Sequence, residues 1–297
     1  MGFGLKQRLV STLDRPGGRA ILAAAVNRLA RLHGFNDIKI FYEGRRWFHR
    51  VGERTFPGHR HFTQWPYNFA AFAAQERRYL NDANDYWMAF FTPPNNGIVI
   101  DVGAGEGEDV LAFSRAVGRQ GRVIAIEAFP TTFEVLREFC LRNGLANTVT
   151  LQAALGDRSG TITFQESTHW VENAIDMQGG SGGVDVRCAT LGEICAELNI
   201  AEIDYLKMNI EGAEVQALKG MVDVLPRIKA ICVSCHDFRA DRGDGEQFRT
   251  RDFVVPFLRS HGFALKFRDD PRPYVRDQVF GTHISTAESK SIGNSEP

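Results

Sequence analysis

The chain has 297 residues, enough for one large α/β domain and an appendage, and 43% of them are hydrophobic, enough to fill a sizeable core. Its 35 Lys and Arg nearly balance its 36 Asp and Glu, so no overall field attracts nucleic acid. No stretch approaches the roughly 18 apolar residues of a membrane span, and Ile21–Val26 is too short to be a signal peptide.

Five cysteines (Cys140, Cys188, Cys195, Cys232, Cys235) form no even framework. Most lie in apolar patterns where cysteine packs as a small hydrophobe, and a reducing cytoplasm is expected. Lys6 stands where acylation at Gly2 would want Ser or Thr, so no stable membrane anchor is expected either. Cys232 and Cys235 look like a redox or zinc half-site. They sit in a strand whose alternation points them to opposite faces, and no second pair follows at ligand spacing.

Residues 1–32 read as one or two basic helices packed on their own domain, and residues 38–48 and 51–56 alternate weakly as short strands. Residues 59–91 carry Phe62, Trp65, Tyr67, Phe69, Phe72, Tyr79, Tyr86, Trp87, Phe90 and Phe91, an aromatic load expected to act as a cap. Pro93-Pro94-Asn95-Asn96-Gly97 then breaks the pattern. The division expected is 1–95 extension, 96–285 main domain and 286–297 a disordered polar tail.

From there strand and helix patterns alternate: 98–102 strand, 108–117 helix, 121–127 strand, 131–143 helix, 147–154 strand. A hairpin over 160–164 and 184–187 brackets a Gly-rich segment. A helix over 191–198, a strand over 203–208, a helix over 213–224 and a strand over 228–235 follow. The chain finishes with a helix over 248–261 and a strand pair over 263–267 and 275–283. This is a doubly wound, Rossmann-like α/β sheet.

Its first strand, Ile98-Val99-Ile100-Asp101-Val102, runs through Gly103-Ala104-Gly105 into a helix. Glycines there let a ligand approach the backbone, whose free N–H groups suit an electron-rich partner. The dinucleotide fingerprint would want a third glycine where Glu108 stands, and a carboxylate beside a pyrophosphate is unfavourable. What remains resembles motif I of class I S-adenosylmethionine-dependent methyltransferases, whose cofactor has no phosphate and carries an amino group and a sulfonium. Glu127, ending the second strand 22 residues after Gly105, can accept both ribose hydroxyls of that cofactor.

The order of landmarks resembles the FkbM-type methyltransferase family over roughly residues 75–285. The matching residues are Asp101-Val-Gly103-Ala-Gly105, Glu127, Ala154-Leu155-Gly156-Asp157, Val186 to Leu191 and Lys207-Met208-Asn209-Ile210-Glu211-Gly212-Ala213-Glu214. The resemblance implies a seven-stranded sheet with its last strand antiparallel, and methyl transfer to a hydroxyl oxygen of a small molecule. It places S-adenosylmethionine against Asp101, Gly103, Ala104, Gly105, Glu127, Ala128, Ala153 and Ala154, and against Glu76 and Tyr79 ahead of the first strand. Asn209 stands where the family usually has Asp, and Gly192 where it often has an acidic residue. Asn can be neither a general base nor a strong hard-metal ligand.

In an open α/β sheet the chemistry lies beyond the carboxyl ends of the strands. Asn209, Glu211, His236 and Asp237 fall there. His236 is the expected base, since an imidazole titrates near neutrality, while a histidine satisfied by backbone is the structural alternative. Glu211 is expected to hold the substrate, orient His236 or cap its helix. A metal-assisted reaction through Glu211, His236 and Asp237, as in catechol-type enzymes, and a non-catalytic scaffold are the alternatives; no metal is assigned. Asn209-Ile210-Glu211-Gly212 is not the Pro-Pro motif of base methylation, so no nucleic-acid substrate is expected, and self-association is left open. Residues 59–91, and otherwise the loop 177–183, are the candidates for covering the acceptor.

Overall fold

The structure, a computed structural model, describes residues 10–62, 68–164 and 183–285. Trp65, Tyr67, residues 177–182 of the Gly-rich segment and the tail from 286 lie outside the described residues. Contacts divide the chain into one unit of Met1–Asn81 with Glu138–Leu145, and another of Asp82–Arg137 with Ala146–Pro297. Residues 82–95, expected in the extension, group with the second unit.

In the first unit, helix α1 (Arg19–Leu32) turns Leu22, Val26 and Ala30 inward at the spacing of one helical face. Beside it strands β1 (Ile38–Glu43), β2 (Arg46–Val51) and β3 (Arg54–Pro57) form an antiparallel meander. Two strands were expected here and three form. Positive φ at Gly44 (54°), Arg45 (71°) and Gly52 (57°) makes the two tight turns. Asp14 is the polar hub, accepting hydrogen bonds from Arg19 Nε (3.0 Å), Trp47 Nε1 (3.0 Å) and the Phe62 N–H (2.8 Å).

The second unit holds the seven-stranded sheet. Its strands are β4 (Ile98–Val102), β5 (Arg122–Glu127), β6 (Thr148–Gln152), β10 (Tyr205–Met208), β11 (Ala230–Ser234), β12 (Phe263–Lys266) and β13 (Gln278–His283), in the order β12-β13-β11-β10-β4-β5-β6. Only β13 runs antiparallel to its neighbours, and the others are mutually parallel. Strands β10 and β11 are buried along their whole length; β11 is apolar up to its closing Ser234, whereas β10 carries Lys207 in its interior. Ile100, Ile124, Leu206, Ile231, Leu218 and Leu258 belong to one hydrophobic core there.

The expected strand 147–154 divides. Beyond Ala153, β7 (Ala154–Leu155) joins β8 (Gly160–Phe164) and β9 (Val184–Ala189) in a separate small sheet ordered β7-β9-β8. The helix expected over 213–224 stops at Lys219. A Cβ on the next residue, Gly220, would lie 1.9 Å from the carbonyl oxygen of Gly156, so only glycine allows the two backbones to meet there. Cys140, Cys188, Cys195, Cys232 and Cys235 are all buried free thiols. No helix among the described residues is long and apolar enough to cross a membrane.

Candidate active site

At the carboxyl end of β4, Gly103, Gly105 and Gly107 carry φ of 75°, 56° and 101°, and helix α2 (Glu108–Val117) begins directly after them. The glycines differ in what they permit. A Cβ on Gly103 would sit 1.9 Å from the carbonyl oxygen of Asn209, so Gly103 exists to let the end of β10 pack against the end of β4. A Cβ on Gly105 would meet nothing within 4 Å. The space beside Gly105 is thus open, whereas that beside Gly103 is filled by the end of β10.

The Gly105 N–H donates to Glu127 Oε2 at 3.0 Å, and the Phe129 N–H to Glu127 Oε1 at 2.9 Å. A carboxylate offers about four acceptor positions, so two remain for ligand hydroxyls after the backbone has fixed its orientation. Burial pushes the Glu127 carboxyl above its ordinary range, while those two N–H donors work in the opposite direction. Beyond it, Ala128 is half-buried, and Phe129, Ala154 and Val186 form a small apolar cluster. Ala104 is buried and Ala153 lies in the main core, so their side chains are scaffold.

Asp101 was expected to touch the cofactor. Its side chain is 0% exposed and forms an ion pair with Lys207 Nζ at 2.8 Å. Lys207 also donates to the carbonyl of Gly103 (2.8 Å), lies 3.4 Å from Asp109 and faces the ring of Trp87 at 4.9 Å. Burial raises the carboxyl of Asp101, with the Lys207 charge opposing it. Burial likewise works against the Lys207 ammonium, yet Asp101 and Asp109 hold it above its ordinary value. Asp101 thus braces the glycine turn from beneath. Lys207 was noted in the sequence only as part of a motif; a lysine inside a fully buried strand was the available signal.

Directly after β10, Asn209 is half-buried and its N–H continues the ladder to Val102 O at 2.9 Å. Glu211 follows with φ of 53°, an unusual conformation for a residue with a side chain. It is held by Arg239 Nη1 at 2.8 Å and faces His236 Nε2 at 3.3 Å. The other imidazole nitrogen, Nδ1, lies 2.9 Å from Glu214 Oε1, whose side chain is 0% exposed. Burial opposes a charge on His236, but Glu214 and Glu211 push its pKa up to about 10. Glu211 moves the other way: despite burial, His236 and Arg239 lower it. The expected base is accordingly an imidazolium at neutral pH, already holding the proton it would have to accept. The carboxylate of Asp237 accepts the N–H groups of Thr250 (3.2 Å) and Arg251 (3.1 Å), so Glu211, His236 and Asp237 do not converge on a common point.

Glu76 and Tyr79 belong to the first unit. Glu76 pairs with Arg54 at 2.8 Å, and buried Tyr79 receives a hydrogen bond from Gln75 at 2.7 Å while its ring meets Phe56 edge-on.

A glycine turn at the end of β4, a carboxylate at the end of β5 and an acidic turn at the end of β10 make one constellation. The profile of the methyltransferase FkbM domain matches residues 101–265, from the buried Asp101 through β12. The chain belongs to this family. The methyltransferase sdnD of Sordaria araneosa is 27% identical over 160 residues, 43% of this chain and 61% of that protein. The 31-O-demethyl-FK506 methyltransferase FkbM of Streptomyces tacrolimicus is 27% identical over 206 residues, 59% of this chain and 75% of that protein. The hexuronic acid methyltransferase AglP of Haloferax volcanii is 25% identical over 139 residues, 47% of this chain and 56% of that protein. This chain thus spans between about half and three quarters of the length of these relatives. The residues present fit the S-adenosylmethionine that the family implies: an unobstructed Gly105 beside a carboxylate with two acceptor positions left.

Proposed function

We propose that this protein transfers a methyl group from S-adenosylmethionine to a hydroxyl oxygen of a small molecule of natural-product or saccharide type. The observation that carries the reading is Glu127, oriented by the N–H groups of Gly105 and Phe129 with acceptor positions left for the ribose hydroxyls. The names of the FK506 and hexuronic acid methyltransferases support a polyhydroxylated acceptor. Bound S-adenosylmethionine supplies an electrophilic methyl group on a sulfonium.

The protein's work is then to align an acceptor oxygen and to let its proton leave as the oxygen–carbon bond forms. Glu211, half-exposed and anchored from behind by Arg239 and His236, accepts the hydrogen bond of the acceptor hydroxyl. Asn209 adds a neutral amide that both donates and accepts. His236 is a positioning residue, bridging Glu211 and Glu214 with its charge. Because a depressed carboxylate is a weak base, proton loss proceeds late, with the oxygen already partly bonded to carbon. The buried free thiols fit a reducing compartment, and we place the protein in the cytoplasm.

The test is incubation with trideuteromethyl-labelled S-adenosylmethionine and a panel of polyhydroxylated acceptors, with NMR of the product. An O-methyl signal is expected. Label appearing only on nitrogen or carbon would overturn the reading, as would full cofactor binding by Glu127→Ala.

A further inference from the structure

The near-neutral total charge conceals a segregation. Residues 1–81 carry 14 Lys and Arg against five Asp and Glu, and residues 82–297 carry 21 against 31. Within the first unit part of this excess gathers in one place. A concavity of about 390 Å³ is lined by Asn27, Arg31, Asn36, Asp37, Lys39 and Arg50, with Ile38 and Gly52 completing it.

Three features of this lining point to a ligand. Lys39 on β1 and Arg50 on β2 are direct cross-strand partners. Like charges placed opposite each other in an antiparallel pair destabilise it. Second, Arg31, in the last turn of α1, brings a third cation to the same hollow. Third, among the described residues no carboxylate lies within ion-pairing distance of any of the three, although Asp37 lines the same space. The hollow therefore holds three cations against one carboxylate. The Asn27 side chain is fixed by a reciprocal pair with the Ile40 backbone (2.8 and 2.7 Å), which uses one of its two N–H donors and leaves the other.

We infer that this concavity binds a phosphate-class oxyanion, the group whose several oxygens match two guanidinium forks and an ammonium at once. The site shares no residue with the glycine turn or Glu127, and it does not rest on the proposed methyl transfer. The phosphate can belong to a soluble ester or to a lipid headgroup, and the two sources are separable by experiment.

The full chain would be titrated calorimetrically with inorganic phosphate and, in parallel, sedimented with phosphatidylcholine vesicles with and without phosphatidylglycerol. The variant Arg31→Gln/Lys39→Gln/Arg50→Gln should weaken binding by about tenfold or more, since charge-assisted contacts are lost. The variant Arg45→Gln/Arg60→Gln/Arg77→Gln removes the same charge outside the hollow and should change it by less than about twofold. Lys39→Gln alone should raise the Tm of the phosphate-free chain, by relieving the like-charge pair. Binding confined to free phosphate assigns a soluble ligand, and binding confined to phosphatidylglycerol vesicles assigns a lipid headgroup. Equal loss in the two triple variants would mean a diffuse field and overturn the site, as would the absence of binding to either probe.

Discussion

Gly103 and Gly105 are two residues apart, share positive φ and belong to one motif, yet alanine should act on them in opposite ways. At Gly103 the new methyl would lie 1.9 Å from Asn209 O, 2.9 Å from Asn209 C and 3.1 Å from Ile210 Cγ2. Relief requires the carbonyl to retreat by more than about 1 Å, against an ordinary carbon–oxygen contact of about 3.3 Å. Asn209 cannot easily retreat, since its N–H is bonded to Val102 and the four residues before it are paired with β4. Overpacking of this kind costs about 1–3 kcal/mol and left-handed backbone on a residue with a Cβ a further 1–2 kcal/mol or so, together about 2–5 kcal/mol. For a domain this size that lowers Tm by roughly 5–15 °C. Gly105→Ala adds the backbone cost alone, about 1–2 kcal/mol, but sets a methyl group in the open space beside Glu127. It should stay folded and weaken S-adenosylhomocysteine binding about tenfold or more, the loss expected when a ligand's close approach is blocked. Thermal unfolding and calorimetry on the two variants decide the matter. Gly103→Ala as stable as Gly105→Ala, or Gly105→Ala binding the cofactor product like the unaltered protein, would refute this division of roles.

Glu127→Ala should weaken cofactor binding by roughly 1.5–3 kcal/mol for each ribose hydroxyl bond lost, read by calorimetry on protein shown to be folded. Lys207→Met should destabilise by about 3–5 kcal/mol, because it leaves Asp101 buried and unpaired, and Asp101→Asn in the same chain should restore part of the loss in a double-mutant cycle. His236 titrates higher folded than unfolded, from about 6.5 to about 10. Its contribution to stability is therefore complete below pH 6.5 and is lost as pH rises towards 10, a slope that His236→Gln should flatten in urea titrations at several pH values. Exhaustive chelation should leave methyl transfer unchanged, as Glu211, His236 and Asp237 are engaged with one another or with backbone; loss restored only by Mg²⁺ or Mn²⁺ would contradict this.

How far the sequence could be read depended on whether the information was local. Ile98–Val102 and Glu108–Val117 were placed to the residue, since an apolar run, a cluster of glycines and a new periodicity lie side by side in the chain. Glu127 was legible for the same reason, as an acid closing an apolar strand. The misreadings lie where distant segments meet. The division of 147–154 into β6 and β7 depends on β9 capturing Ala154 and Leu155, and the need for glycine at 220, just past the helix end, comes from Gly156 far off in the chain. Asp101 and His236 mark one boundary of what is local: an ionisable residue beside a motif suggests chemistry, whereas its partners decide its exposure and protonation. The partners of Asp101 and His236 that matter, Lys207 and Glu214, arrive from 106 and 22 residues away.

Those partnerships share a construction. Lys207 sits between Asp101 and Asp109, and His236 between Glu211 and Glu214, each a buried cation flanked by two carboxylates. Buried ion pairs seldom add net stability over apolar packing, so another benefit must account for two of them at one end of the sheet. Each braces backbone in the positive-φ region: Lys207 through the carbonyl of Gly103, and His236 through Glu211, with Glu214 also accepting the Gly212 N–H at 3.2 Å. Such backbone persists only where surrounding structure over-determines it. A neutral, apolar replacement could fill the same volume but could not hold a carbonyl or a carboxylate in a fixed direction. Removing Lys207 should therefore free the Gly103 carbonyl, and removing His236 the turn at Glu211 and Gly212, each with a loss of stability.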